Sequence, residues 1–491
     1  MTLPRINYFL QSNTICVKMI PHMELKGARG SVMKHIFSLL TVAYILGLFI
    51  GCSEEVSVEL KKPVTLNMWH NYGGQMKNLM DELIDEFNNT VGTQKGIMIN
   101  VTSISSSSAL HEKLVSSANG DPGVPSLPDI TTAYPKTALI LAQEGLLMNL
   151  ETQFSDNELK QYIPRFLEEG RLHDGKLYLL PVAKSTEVLF LNKTIFDRFA
   201  NETGVTYDEL GTFEGIIRVA DKYYEWTDNQ TPDQPNDGKT FYMPDSLFNM
   251  AQVGFAQLGD EFIKDGALNP SSPVFKRIWD SCYIPSVLGR VVLFDGYSSD
   301  LFKTGDVICS TGSTAGVLFY PDQVTYADNS KEDVEYVILP YPIFEGGAKV
   351  AIQRGGGMCV IKSTKEKEHA AAVFLKWFTE PAQNLRFTAS SGYFPVTEKA
   401  FHDVMEKEIE SLPDNNIKKL LSTAVMMQKE YDFFIPPLVD DFDNIQKQYE
   451  TRLKEAVLKA KAKIESCSEK QKRDMVYKEV LKNGLEEFLK Q

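Results

Sequence analysis

What this chain of 491 residues lacks limits what it can be. Its six cysteines include no C-x-x-C pair, and none of the seven histidines is placed to complete a ligand set, so no metal or other cofactor is expected. Cys309 and Cys359 lie in strand-like apolar runs, where buried free thiols and a neighbouring pair both fit. G-x-S-x-G and H-E-x-x-H are absent, and Gly312-Ser313-Thr314-Ala315-Gly316 has its serine one place too early for a nucleophile elbow. Paired carboxylates for glycoside hydrolysis remain open, because Asp and Glu are plentiful, but no motif marks any of them. An exported hydrolase is therefore the enzyme alternative, and turnover of a bound glycoside is its discriminating observation. Internal repeats and low-complexity stalks are also missing, which removes the support for an adhesive or structural role. Positive charge is scarce. The net charge is −14, and Arg5, Lys18, Lys26, Arg29 and Lys34 against Glu24 give residues 1–52 a charge of +4, leaving −18 for the rest. An acidic body of this kind lacks the basic footprint of a nucleic-acid binder.

A long apolar run is present once, at 33–52 (MKHIFSLLTVAYILGLFIGC). A lysine, an apolar stretch and a Gly-Cys pair in that order describe a secretory signal. The final cysteine resembles that of bacterial lipoprotein signals, with Phe49 where the pattern prefers Leu, which implies acylation at Cys52. About 16 apolar residues separate Lys34 from Cys52, fewer than the roughly 20 of a membrane span, which is the alternative reading. Residues 1–32 are then an upstream extension outside the mature protein. The expected location is exported, periplasmic or at the cell surface, held to the membrane by lipid.

Beyond Cys52 the chain is long for one core, and two lobes are expected. Residues 64–69 predict a strand, 75–88 an amphipathic helix, 97–104 a second strand, 109–117 a helix, 128–131 a third strand and 138–146 a helix. This β-α-β-α order predicts an α/β fold with a mainly parallel sheet, whose ligands bind beyond the carboxyl ends of strands. The loops 70–74, 105–108 and 131–134 leave such ends. Residues 307–309 predict a strand running into a small polar turn at 310–314, and 358–361 a strand after the turn-like Gly355-Gly356-Gly357. Residues 442–490 are predicted mostly helical.

Three passages then carry a resemblance. Gly175-Lys176-Leu177-Tyr178, Leu180-Pro181, Leu189-Phe190-Leu191-Asn192-Lys193 and Phe196 form the first. Gly355-Gly356-Gly357 with Val360, followed by the helix from Lys365 through Ala370-Ala371-Ala372, forms the second, and Ser391-Gly392-Tyr393-Phe394-Pro395-Val396 the third. In this order the chain resembles the extracellular solute-binding proteins of bacterial ABC importers, in the branch of maltose-type and glycerophosphate-type binders. The resemblance implies a two-lobe, type II periplasmic-binding-protein fold with a C-terminal helical region. It implies crossings near 185–190, 336–341 and 391–396, a first lobe of 62–186 plus 343–391 and a second of 187–342 plus 392–491. It also implies a monomer that captures a small solute in the interlobe cleft and delivers it to ABC permease subunits in the membrane, without catalysis.

Sugar and polyol sites need flat aromatic faces and a few placed hydrogen-bonding groups. Trp69, His70, Asn71 and Tyr72 offer both after the first strand, although Trp69 suits a core equally and His70 has no metal partner in sight. Ser106 stands in a serine run that is equally an exposed loop, and Asp129 is placed to accept from hydroxyls or to cap a turn. Tyr134 and Tyr393 are candidate stacking aromatics. Ser185 and Thr186 lie at the first implied crossing, and Gly356 permits close backbone approach. Ser310 and Ser313 are similar to the serine-glycine-serine turn of glycerophosphate binders. Those binders also use an arginine late in the second lobe. Residues 431–443 (YDFFIPPLVDDFD) hold aspartates instead, which favours a neutral carbohydrate. Arg354 is the residue that keeps the phosphate-ester alternative open.

Overall fold

A computed structural model describes residues 62–490, apart from 414, 440, 468 and 469. The signal at 33–52, Cys52 and the upstream extension lie outside the described residues. Strand β1 (Val64–His70) buries Leu66 and Met68 and leads into α1 (Gly74–Phe87), where Met76, Met80, Leu83, Ile84 and Phe87 form one buried stripe. After β2 (Ile97–Ser103) comes α2 (Ser107–Asn119). Ser106 Oγ caps it by accepting from the Ala109 amide, and Gly120 ends it at φ +71°. Next are β3 (Ile130–Ala133) and α3 (Pro135–Gln143), which starts on the proline that a first turn tolerates.

Strand β4 (Leu180–Ser185) is buried throughout, and Thr186 alone separates it from β5 (Glu187–Asn192). The two strands belong to different sheets. β6 (Tyr242–Met243), β7 (Cys309–Ser313) and β8 (Tyr336–Leu339) join β5, giving the order β8-β5-β7-β6. A short β9 (Val350–Ile352) precedes Gln353 and then β10 (Arg354–Val360), which returns to the first sheet in the order β2-β1-β3-β10-β4. The helices α4 (Lys365–Phe378) and α5 (Asn416–Glu430), the strand β11 (Asp432–Phe434), which pairs with β9, and the helices α6 (Phe442–Glu465) and α7 (Lys470–Leu489) complete the chain. Each sheet has its own apolar core, so the fold is two α/β lobes with a helical C-terminal region. α6 and α7 close the second core, where Phe488 packs 4.5 Å from the Trp279 ring.

Several elements depart from the sequence reading. The first sheet is mixed: β1 is parallel to β2 and β3, but β10 is antiparallel to β3 and β4. β10 arrives from the other lobe, not by a crossover helix, and so enters from the opposite end. The three glycines expected to turn lie inside β10, where a Cβ on Gly355 or Gly357 would collide with the Ala183 or Leu180 carbonyl. Ser310 to Ser313 continue β7, because Gly312 and Thr311 pair with Val188 and Leu189. The second passage between lobes is at Gln353, not within 336–341: Tyr336–Leu339 pairs fully with β5, and Tyr341, Phe344 and Ile352 pack in the second core. Likewise Phe394, Val396, Phe401 and Met405 remain in the first core. The last passage runs along α5, with Leu421 and Ala424 in the first core and Leu420 and Met427 in the second.

Candidate functional site

Beyond the carboxyl ends of β1 and β3 lies a cavity of about 510 Å³. The first lobe supplies Asn71 to Met76 after β1, Thr132 to Tyr134 at the end of β3, Gly356 from β10, and Ser391 and Tyr393. The second lobe supplies Ala315, Leu318 and Phe319 from the 3-10 segment Thr314–Phe319. Phe319 is 69% exposed and Tyr134 44%, unusual for large apolar rings and suited to an aromatic wall awaiting a partner. The Tyr72 ring is steadied edge-on, 5.0 Å from Phe387. Thr132 Oγ1 donates to Asn71 Oδ1 at 3.0 Å and orients that amide. Burial raises the Tyr72, Tyr134 and Tyr393 phenols above their ordinary range, so all three are neutral hydroxyls at physiological pH. Gly356 lines the cavity as bare backbone, since a Cβ there would meet the Ala133 carbonyl at 2.8 Å.

Of the residues proposed from sequence, the structure thus brings Asn71, Tyr72, Tyr134, Gly356 and Tyr393 together. The others lie elsewhere. Trp69 points to the opposite side of β1 from its neighbour and packs on Leu110 and Leu114 of α2, with Lys113 Nζ 4.4 Å from its ring centre. His70 is fully buried. Its Nδ1 accepts from the Tyr72 amide, and burial pushes its pKa down to about 4. Asp129 precedes β3, at the amino end of the strand and far along it from Tyr134. It takes Lys367 Nζ at 2.9 Å and the Asn67 amide at 2.8 Å. Ser106 and Ser313 are helix caps. Ser185 is buried in β4, and Thr186 is buried between the sheets, where its Oγ1 donates to the Ile352 carbonyl at 2.7 Å. Ser310 is interior to the second lobe, bonded to Tyr320 and Ser298 hydroxyls at 2.9 and 3.1 Å.

Beside the cavity stands Arg354, the residue that kept the phosphate-ester alternative open, together with three that sequence reasoning missed, Glu187, Asp245 and Asn249. Arg354, two places before Gly356 on β10, extends to the second lobe, where its Nη1 donates to Glu187 Oε1 at 2.9 Å and Asp245 Oδ2 at 2.6 Å. Asn249 Nδ2 donates to the same Glu187 oxygen at 2.8 Å. Burial, only partly offset by Arg354, lifts the Glu187 carboxyl to about 7. The one available signal was Glu187 itself, a lone acid opening an apolar strand. Phe319 carries no periodic mark that would single it out. Asp432, Asp441 and Asp443 do not line the cavity. Asp443 instead pairs with Lys136 of α3. Among the described residues no cluster of His, Cys, Asp or Glu could hold a metal ion, and no helix is long and apolar enough to cross a membrane.

The cavity on strand carboxyl ends is walled by two lobes joined at Thr186, at Gln353 and along α5. Residues 82–415 match the family described as bacterial extracellular solute-binding protein. This chain belongs to that family. It is 22% identical over 353 residues, 69% of this chain and 76% of the relative, to the sn-glycerol-3-phosphate-binding periplasmic protein UgpB of Rhizobium meliloti (strain 1021). Among solved structures it resembles the cyclic alpha-maltosyl-1,6-maltose binding protein from Arthrobacter globiformis, with a TM-score of 0.64 and 20% identity over 86% of this chain and 100% of that one. UgpB from Mycobacterium tuberculosis in complex with glycerophosphocholine gives a TM-score of 0.62 at 16% identity, over 87% and 98%. This solute-binding protein therefore has the type II periplasmic-binding-protein fold shared by those neighbours.

Proposed function

We propose that this solute-binding protein captures a carbohydrate, mono- or oligosaccharide, between its lobes and hands it to the membrane permease of an ABC importer. The observation that carries this reading is the cavity's chemistry: four aromatic rings, Tyr72, Tyr134, Tyr393 and Phe319, with amide and hydroxyl groups and no charged side chain among the lining residues. Rings present flat faces to the apolar side of a sugar, and neutral phenols, Asn71 and Ser391 serve its hydroxyls. The volume suits a small saccharide. Exported, lipid-anchored placement through Cys52, action as a monomer and binding without turnover belong to the same proposal.

Glycerophosphate binding is the second reading, favoured by the UgpB likeness and by the presence of Arg354 near the cavity. Isothermal titration of the purified chain with mono- and oligosaccharides, polyols, sn-glycerol 3-phosphate and glycerophosphocholine decides between them. Heat with a neutral sugar and none with phosphate esters is the expected result. Binding of phosphate esters alone refutes the carbohydrate assignment.

A further inference from the structure

Arg354 is held by two acids from the opposite lobe. Arg354 stands two residues before Gly356, which lines the cavity, with Gly355 between them at φ +97°. The arginine side chain is 34% exposed, and its charge reaches the phenols of both Tyr134 and Tyr393. Glu187 is locked in place: Asn249 donates to it, and Gln252 Nε2 in turn donates to Asn249 Oδ1 at 3.0 Å. Asp245 is a partly exposed acid on the same guanidinium nitrogen. A phosphate approaching Arg354 therefore meets two carboxylates within a few ångströms. No lining side chain supplies a compensating positive charge.

We infer that Glu187 and Asp245 set the ligand's charge: by neutralising Arg354 across the lobes they reserve the cavity for uncharged, hydroxylated ligands, and removing an acid turns Arg354 into a phosphate-binding group. The inference rests on the proposed cavity being the ligand site, but not on the ligand being a sugar. Guanidinium binds phosphate by paired, charge-assisted hydrogen bonds once its carboxylate partners are gone. A hinge latch alone does not predict this, because loosening a latch creates no affinity for an anion.

The test is titration calorimetry at pH 8, chosen to favour the Glu187 carboxylate, on the full chain and its D245N, E187Q and D245N/R354Q variants. The probes are sn-glycerol 3-phosphate, inorganic phosphate and maltotriose, and circular dichroism melts confirm that each variant is folded. The expected result is affinity of D245N for sn-glycerol 3-phosphate about tenfold or more above that of the parent chain, lost again in D245N/R354Q. Folded D245N and E187Q that bind phosphate no better than the parent overturn the inference and leave the carbohydrate reading standing. So does a gain that persists without Arg354. A parent chain that itself binds sn-glycerol 3-phosphate, and no saccharide, overturns both. If D245N gains the phosphate ester while the parent ignores maltotriose and every saccharide of the titration above, the charge gate stands and the carbohydrate reading falls.

Discussion

His70 and Lys184 each hold a polar group inside the first lobe, and each has a measurable consequence. The His70 pKa near 4 lies below its unfolded value of 6.5, so the unfolded chain takes up the proton first. Its contribution is fully present above pH 6.5 and is lost as pH falls through 4, by up to about 3 kcal/mol. Glu187 acts in the opposite sense: its raised carboxyl favours the folded state below pH 4.5 and ceases to do so as pH rises through 7. Urea titrations of the parent and H70Q between pH 7 and 4 should therefore converge toward low pH, and parallel curves contradict the buried neutral imidazole. Lys184 is paired with Glu169 beneath the first passage between lobes, and both side chains are almost wholly buried. Gln353 Nε2 also donates to that carboxylate, at 2.9 Å. Removing one partner strands the other charge, so K184M should lose about 3–5 kcal/mol of stability. The paired K184M/E169L variant should recover much of it in the same melts.

β10 is the element on which the site depends, because it joins the lobes and carries both Arg354 and Gly356. Its glycines are there for space: it runs between β3 and β4 with a register shift at Gly356/Gly357. G357V drives a branched side chain into the Leu180 carbonyl and should lower stability by at least about 2 kcal/mol, read as a shift in denaturant midpoint. On the other wall, the segment Thr314–Phe319 presents Leu318 and Phe319 to solvent at the end of β7. Truncating an aromatic that stacks on a ligand costs about 1–3 kcal/mol. F319A and Y134A should therefore weaken binding of the cognate solute roughly 5- to 150-fold while melting within about 2 °C of the parent. Unaltered affinity in both variants places the ligand elsewhere.

For the whole molecule, the two cores are joined by Thr186, by Gln353 and through α5, so few dihedrals need to change for the lobes to move. A solute that touches Tyr134 and Phe319 contacts both lobes and favours the closed arrangement by its differential affinity. Small-angle scattering should accordingly show a smaller radius of gyration when the cognate solute is present. An unchanged value under saturation excludes closure. The Lys136–Asp443 pair joins the lobes near the cavity, but it is half-exposed and contributes little by itself.

Much of this architecture was legible in the linear chain. The three- and four-residue spacing of Met76, Met80, Leu83 and Phe87 is a local signal, because helix formation is governed by neighbours in sequence. The same locality placed Asn71, Tyr72 and Tyr134 beyond strand ends, where the cavity lies. Tertiary structure alone decided the rest. Trp69 and Asp129 have the residue types of a binding site, yet α2 and Lys367 claim them, and those partners are distant in sequence. Whether three glycines turn or run straight depends on β3 and β4 closing in from either side. The cancellation of Arg354 by Glu187 and Asp245 joins positions 167 and 109 residues apart. Such pairings follow from how two lobes meet, a global packing outcome that local spacing does not encode.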